Sequence, residues 1–102
     1  MQKRAFERIP VDFKVRYFCG DNALNGTVTD LSENGMFIDT KLDFPFDSNC
    51  DLVLPLNDQV MKLSVIIKRV VKSKGIYKGM GVELVNPPEN YLQLVNELRL
   101  AL

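Results

Sequence analysis

The chain has 102 residues, 46% hydrophobic and 25% charged, with 13 lysines and arginines against 13 acidic residues and a formal net charge of zero. That length suits one domain around one core, and the charge balance excludes a global field drawing the chain to nucleic acid or to an anionic membrane, so any anion site is local. The basic start "MQKRAFERIP" has no apolar run behind it, and no window approaches the roughly eighteen apolar residues of a membrane span, so a cytoplasmic protein without membrane association is expected.

In chain order, "DFKVRYFCG" alternates Phe13, Val15, Tyr17 and Cys19 with Lys14 and Arg16, the period of a half-buried strand, and "GDN" supplies a turn. "ALNGTVTDLS" runs to Asn34-Gly35, where a two-residue hairpin turn with both residues at positive φ is predicted, and the chain returns as "MFIDT". "KLDFPFDSN" reads as a loop around Pro45; "CDLVLPL" follows with Cys50, Leu52 and Leu54 on one face. After "LND" the run "QVMKLSVIIKRVVKS" places Met61, Leu63, Val65 and Ile67 against Lys62, Ser64 and Lys68, a strand rather than a helix, and Lys74-Gly75 closes a hairpin into "IYKGMGVELV". Only the tail changes period. Asn86 as cap, Pro87 at the first helical position and Glu89 three after the cap open a helix, on which Tyr91, Leu94, Val95, Leu98 and Leu102 form one apolar stripe. The sum is a mainly β chain of about six antiparallel strands and a terminal helix, a small barrel or sandwich with the helix over one opening or one face.

Catalysis finds little support. Without histidine, a base working near neutral pH would have to be a strongly shifted carboxylate or lysine, and no pair of carboxylates is singled out by its surroundings. Neither Cys19 nor Cys50 has a histidine to activate it, and "GIYKGMG" lacks the ending of a phosphate-binding P-loop. The cysteines fit no metal-ligand spacing, so no metal or cofactor is expected, and in a cytoplasmic chain they read as two reduced thiols on strands. A small-barrel nucleic-acid binder using the basic cluster at 68–78 is opposed by the zero net charge, because such binding is dominated by phosphate neutralisation. The chain reads as a non-enzyme.

Two short motifs remain. "RAFER" holds Arg4 and Arg8 on one side of the chain, whether helical or extended, and guanidinium forks match phosphate oxygens, stack on aromatic rings and fit the O6 and N7 edge of guanine. "DLSENG" holds Asp30 and Ser32 two apart, so on an extended chain they share a face. Each has a plain structural reading: arginines near a terminus are usually solvated charge, and Asp and Ser stabilise turns by bonding nearby backbone.

Taken together and in this order, "RAFER" followed some twenty residues later by "DLSENG" resembles the PilZ domain family, whose pattern is RxxxR and then [D/N]xSxxG. "GMGVEL" is similar to the family's Gly-x-Gly-Val segment, and the terminal helix falls where the family has one, so the resemblance covers nearly the whole chain. It implies a six-stranded antiparallel split barrel with a C-terminal helix: one domain over 1–102, with a ligand-binding segment at 1–11, the barrel at 12–85 and the helix at 87–101. It further implies a receptor for cyclic di-GMP, a bacterial second messenger. Arg4 and Arg8 would then grip phosphate and the Hoogsteen edge or face of guanine. Asp30 would accept from the guanine N1 and N2 protons, since a carboxylate is acceptor-only and that edge offers adjacent donors. Ser32 would add a hydroxyl contact, and Gly35 would permit positive φ and close backbone approach. Lys3 matches a position often basic in the family. The run "KRVVKSKGIYK" reads as a solvated hairpin, with Lys68 or Arg69 the residues that would extend the site at its edge. The segment before Phe13 has few apolar anchors beyond Phe6 and Ile9, so it is expected to be mobile when empty and to fold over the barrel with the ligand. Its ordered surface would be read by an effector protein or by a second copy of the chain in a homodimer. The alternative is a PilZ-fold interaction module that binds protein partners without nucleotide.

Overall fold

Alternation of apolar and polar side chains builds the molecule strand by strand in the computed structural model, which describes residues 7–41, 49–56 and 58–102. The strands are β1 (Ile9–Cys19), β2 (Asn22–Leu31), β3 (Gly35–Asp39), β4 (Asn49–Leu56), β5 (Gln59–Ser73) and β6 (Ile76–Leu84), followed by helix α1 (Glu89–Leu100). They pair in the order β1-β2-β3-β6-β5-β4, all antiparallel, and β4 returns to β1 to close a barrel. Closure leaves no free edge among these strands. The expected six-stranded barrel with a C-terminal helix is the fold found.

The inward residues of every strand make one core. Tyr17, Val28, Leu31, Met36, Ile38, Leu52, Leu54 and Met80 are fully buried, and α1 contributes Tyr91 and Val95. Each large apolar side chain contributes about 1.5–3 kcal/mol on leaving water. The polar atoms inside are satisfied: Thr40 Oγ1 donates to the Asn25 carbonyl at 3.1 Å, which leaves the Tyr17 hydroxyl, 2.6 Å away, as the donor to Thr40. Burial raises the Tyr17 pKa, outweighing the Thr40 hydrogen bond that lowers it, and so keeps that proton in place.

Four details depart from the sequence reading. The barrel begins at Ile9, ahead of the expected boundary after residue 11, because Ile9 is buried and Ile9 and Pro10 pair with Leu31 and Asp30. Asn86 sits at positive φ rather than capping the helix, which starts at Glu89 behind Pro88 with no side-chain cap. Positive φ at the hairpins falls on Gly20 and on Lys74-Gly75, not on Asn34-Gly35; there Ser32 and Gly35 face each other across Glu33 and Asn34, with the Ser32 amide donating to the Gly35 carbonyl at 2.8 Å.

The fourth departure is chemical. Cys19 and Cys50 form a disulfide, with Cα atoms 4.6 Å apart, rather than standing as two reduced thiols. Barrel closure explains it, since the β1–β4 register that sets Tyr17 opposite Leu52 and Phe18 opposite Asp51 brings the next residues of the two strands together. The two cysteines are 31 residues apart, a separation that announces no pairing until the first and fourth strands are known to be neighbours.

Candidate functional site

Two β-bulges decide which side chains face outward on β2 and β5. In β2, Val28 points inward opposite Ile38; strict alternation would bury Asp30 as well, but Thr29 is an extra residue, so Asp30 pairs with Phe37 on the outer face and Leu31 returns inward opposite Met36. β5 repeats the device. Met61, Leu63 and Val65 point inward; Lys68 is the extra residue, and Arg69 emerges outside opposite Gly81, with Val70 opposite the buried Met80. Asp30, Phe37, Gly81 and Arg69 thus form one row across four strands.

The two glycines of β6 make the row flat. A Cβ on Gly79 would stand 2.7 Å from the Phe37 ring and 2.7 Å from the Ile38 carbonyl oxygen, and one on Gly81 would stand 3.1 Å from Arg69 Nε. Their absence lets the Phe37 ring and the Arg69 side chain lie along the sheet, with the guanidinium carbon 5.8 Å from the ring centroid. Beside this floor lies a depression of about 250 Å³ bounded by Arg8, Asn34, Gly35, Lys68, Arg69 and Gly81. Arg8 reaches it from the residue before β1 and meets Asp30 through Nη1···Oδ1 at 2.7 Å, both side chains part-exposed. Lys68 is 3.4 Å from Glu83; among the described residues Arg69 has no ion pair. A larger depression of about 420 Å³ lies on the β1–β4 side among Lys14, Arg16, Asn25 and Val53.

α1 holds the turn that carries these groups. The Tyr91 hydroxyl donates to the Ser32 carbonyl at 2.6 Å, and Arg99 grips Glu33 through Nε···Oε2 at 2.8 Å and Nη2···Oε1 at 2.6 Å. Arg99 Nη2 also donates to the Glu7 carbonyl at 2.6 Å. The Arg99 fork holds the Glu33 carboxyl below its usual range, and burial, helped by the Glu33 charge, pushes the Tyr91 phenol far up, so it remains a donor.

Of the residues singled out by sequence, Arg8, Asp30 and Gly35 come together, and Lys68 and Arg69 both reach the rim. Ser32 does not share a face with Asp30. It is buried, and its hydroxyl donates to Asn34 Oδ1 at 2.9 Å, so Asn34 is the side chain of the turn that borders the depression. Lys3 and Arg4 lie outside the described residues. Sequence reasoning missed Phe37, Asn34, Glu33 and Arg99. A signal existed for the last: Arg99 stands four after Val95 and eight after Tyr91, on the face that docks.

Gly35 earns its place by contact rather than by φ, since a Cβ there would stand 2.7 Å from the Val82 carbonyl oxygen. Gly35→Ala must push β3 from β6 beside the depression. The expected loss is about 1–3 kcal/mol of stability, the usual range for overpacking, measured by urea unfolding.

Comparison with known proteins places the chain. The PilZ domain family profile matches residues 2–100, and the chain belongs to that family. Among solved structures it is similar to the PilZ domain of Escherichia coli YcgR with cyclic di-GMP, at 16% identity and TM-score 0.74 over 96% of this chain and 92% of that one. It is also similar to Bacillus subtilis MotI/DgrA, described as an inhibitor of motility, at 15% identity and TM-score 0.76 over 97% of this chain and 49% of that one. A third is the K. pneumonia MrkH–cyclic di-GMP complex, at 14% identity and TM-score 0.71 over 99% of this chain and 52% of that one. The chain therefore spans about half the length of MotI/DgrA and of MrkH. No significant match was found among curated protein sequences.

Proposed function

We propose that the protein is a receptor for cyclic di-GMP that signals to a partner and catalyses no reaction. The observation that carries this reading is the Arg8–Asp30 pair at one side of a depression whose other rim is Lys68 and Arg69 and whose floor continues to Phe37. A ligand made of phosphates and guanines has a use for each part. Cations take the phosphate oxygens, the carboxylate takes the N1 and N2 donors of one base, and the Phe37–Arg69 surface offers a stacking plate. Family membership and likeness to cyclic di-GMP complexes support the same ligand. Arg4 and Lys3 would join from the N-terminal segment as it orders over the barrel, and the surface so formed would be read by an effector protein or a second copy of the chain. Ser32 would act by holding Asn34 and the turn in place rather than by touching ligand.

Calorimetric titration with cyclic di-GMP beside GTP and cyclic di-AMP tests the reading: binding of the first well above the other two is expected. No heat at millimolar cyclic di-GMP would leave the chain as a PilZ-fold interaction module. Asp30 should govern base choice. Asp30→Ala is expected to weaken cyclic di-GMP binding by about 1.5–3 kcal/mol, the range for hydrogen bonds to a charged group, whereas Asp30→Asn keeps an acceptor and loses less. Equal affinity for all three proteins would remove Asp30 from the base contact.

A further inference from the structure

We propose that Arg99 is a positioning residue of the nucleotide site, an inference that rests on reading that site as a cyclic di-GMP receptor. Neither Arg99 nor Glu33 borders the depression, yet one guanidinium in the last turn of α1 holds both halves of the motif pair. It grips Glu33, three residues after Asp30, by two side-chain bonds, and Glu7, the residue before Arg8, by its main-chain carbonyl. Arg8 itself meets Asp30 through a single part-exposed contact, which does little by itself to fix a long side chain. The Arg99 contacts supply what is missing, since they set the path of the chain entering Arg8 and the attitude of the turn leaving Asp30.

The geometry demands arginine. Three of its donor contacts are used at once, and they leave from two nitrogens, Nε and Nη2. A lysine ammonium is a point donor on a flexible stem and cannot reproduce that planar fork on the carboxylate while reaching the carbonyl. The placement also suits the helix, because a cation in the last turn faces the negative end of the peptide dipoles. A site that is already arranged loses less freedom when ligand arrives, so removing the fork should weaken binding without removing any ligand contact.

The test is calorimetry of the full chain with cyclic di-GMP, with urea unfolding of each variant to set conditions in which it is folded. Arg99→Met and Glu33→Gln are each expected to weaken binding about tenfold, inside the two- to thirtyfold range of residues that act at a distance. The double variant should lose little more than either alone, because the two act as one unit. Arg99→Lys should fall between, and Glu97→Gln on the same helix should bind as the parent does. A merely structural role would lower the urea midpoint and leave the affinity of folded protein unchanged. Should Arg99→Met fail to fold, Arg99→Lys and Glu33→Gln carry the same comparison. Affinities unchanged in the Arg99 and Glu33 variants overturn the proposal. An unaltered chain that ignores millimolar cyclic di-GMP overturns the receptor reading, and this proposal falls with it.

Discussion

Arg8→Ala is expected to weaken cyclic di-GMP binding by about 2–5 kcal/mol, the range for truncating one member of a desolvated charged pair. That is roughly thirty-fold to several thousand-fold in affinity. The reason lies in what the substitution leaves behind. With ligand seated, a phosphate would face a depression from which one of three cations has gone, and Asp30 would lose the guanidinium 2.7 Å from its carboxylate. In the free protein the same change should be mild. The Arg8 and Asp30 side chains are 42% and 34% exposed, and pairs as open to water as this contribute about 0–1 kcal/mol to stability. Affinity and stability should therefore separate: calorimetry would register a large loss and urea unfolding a small one. A variant that binds as tightly as the parent would take Arg8 out of the site.

Breaking the Cys19–Cys50 link should produce the largest change in stability. The bond closes a loop of 31 residues, and the loop-entropy relation gives about 3–4 kcal/mol for that length. For a domain of this size such a loss lowers the thermal midpoint by roughly 15–25 °C. The location adds weight to the estimate. β1 and β4 share only the register pairs Arg16–Val53, Tyr17–Leu52 and Phe18–Asp51, against eight between β4 and β5, so the link reinforces the shortest ladder in the barrel. Thermal melts of the double variant Cys19→Ala/Cys50→Ala against the oxidised parent measure the effect. Cyclic di-GMP affinity at 20 °C should hardly change, because the link lies on the β1–β4 side and the depression on the β3–β6–β5 side. An unchanged melting point would show that the closed barrel does not depend on the covalent bond.

Much of the architecture could be read from period alone. Tyr17, Leu52, Leu63 and Met80 each sit at an apolar position of an alternating run, and each is buried. The arginine motif and "DLSENG" named a family whose fold is the one found, and Arg8 and Asp30 do meet. What escaped was whatever depends on contacts between distant segments. Asn34-Gly35 carried a strong local turn signal, yet α1 holds Ser32 and Glu33 through Tyr91 and Arg99, and the turn closes one residue earlier. Asp30 and Ser32 were two apart on a chain assumed extended; the turn withdraws Ser32 into the protein. Cys19 and Cys50 could be matched only by knowing how the barrel closes. Phe37 looked like any outward residue of a strand until Gly79 and Gly81, on the neighbouring strand, gave its ring a flat bed.

The extra residues at Thr29 and Lys68 make the sidedness of the protein a matter of counting. Were either one paired into the ladder instead of bulged out of it, the strict two-residue rhythm would carry a carboxylate or a guanidinium into the oily interior and turn Leu31 or Val70 out to water. The proposed site and the integrity of the barrel are thus written in the same tally. A lineage could exchange many surface side chains here freely, but a change that drew either extra residue into regular pairing would forfeit both properties together.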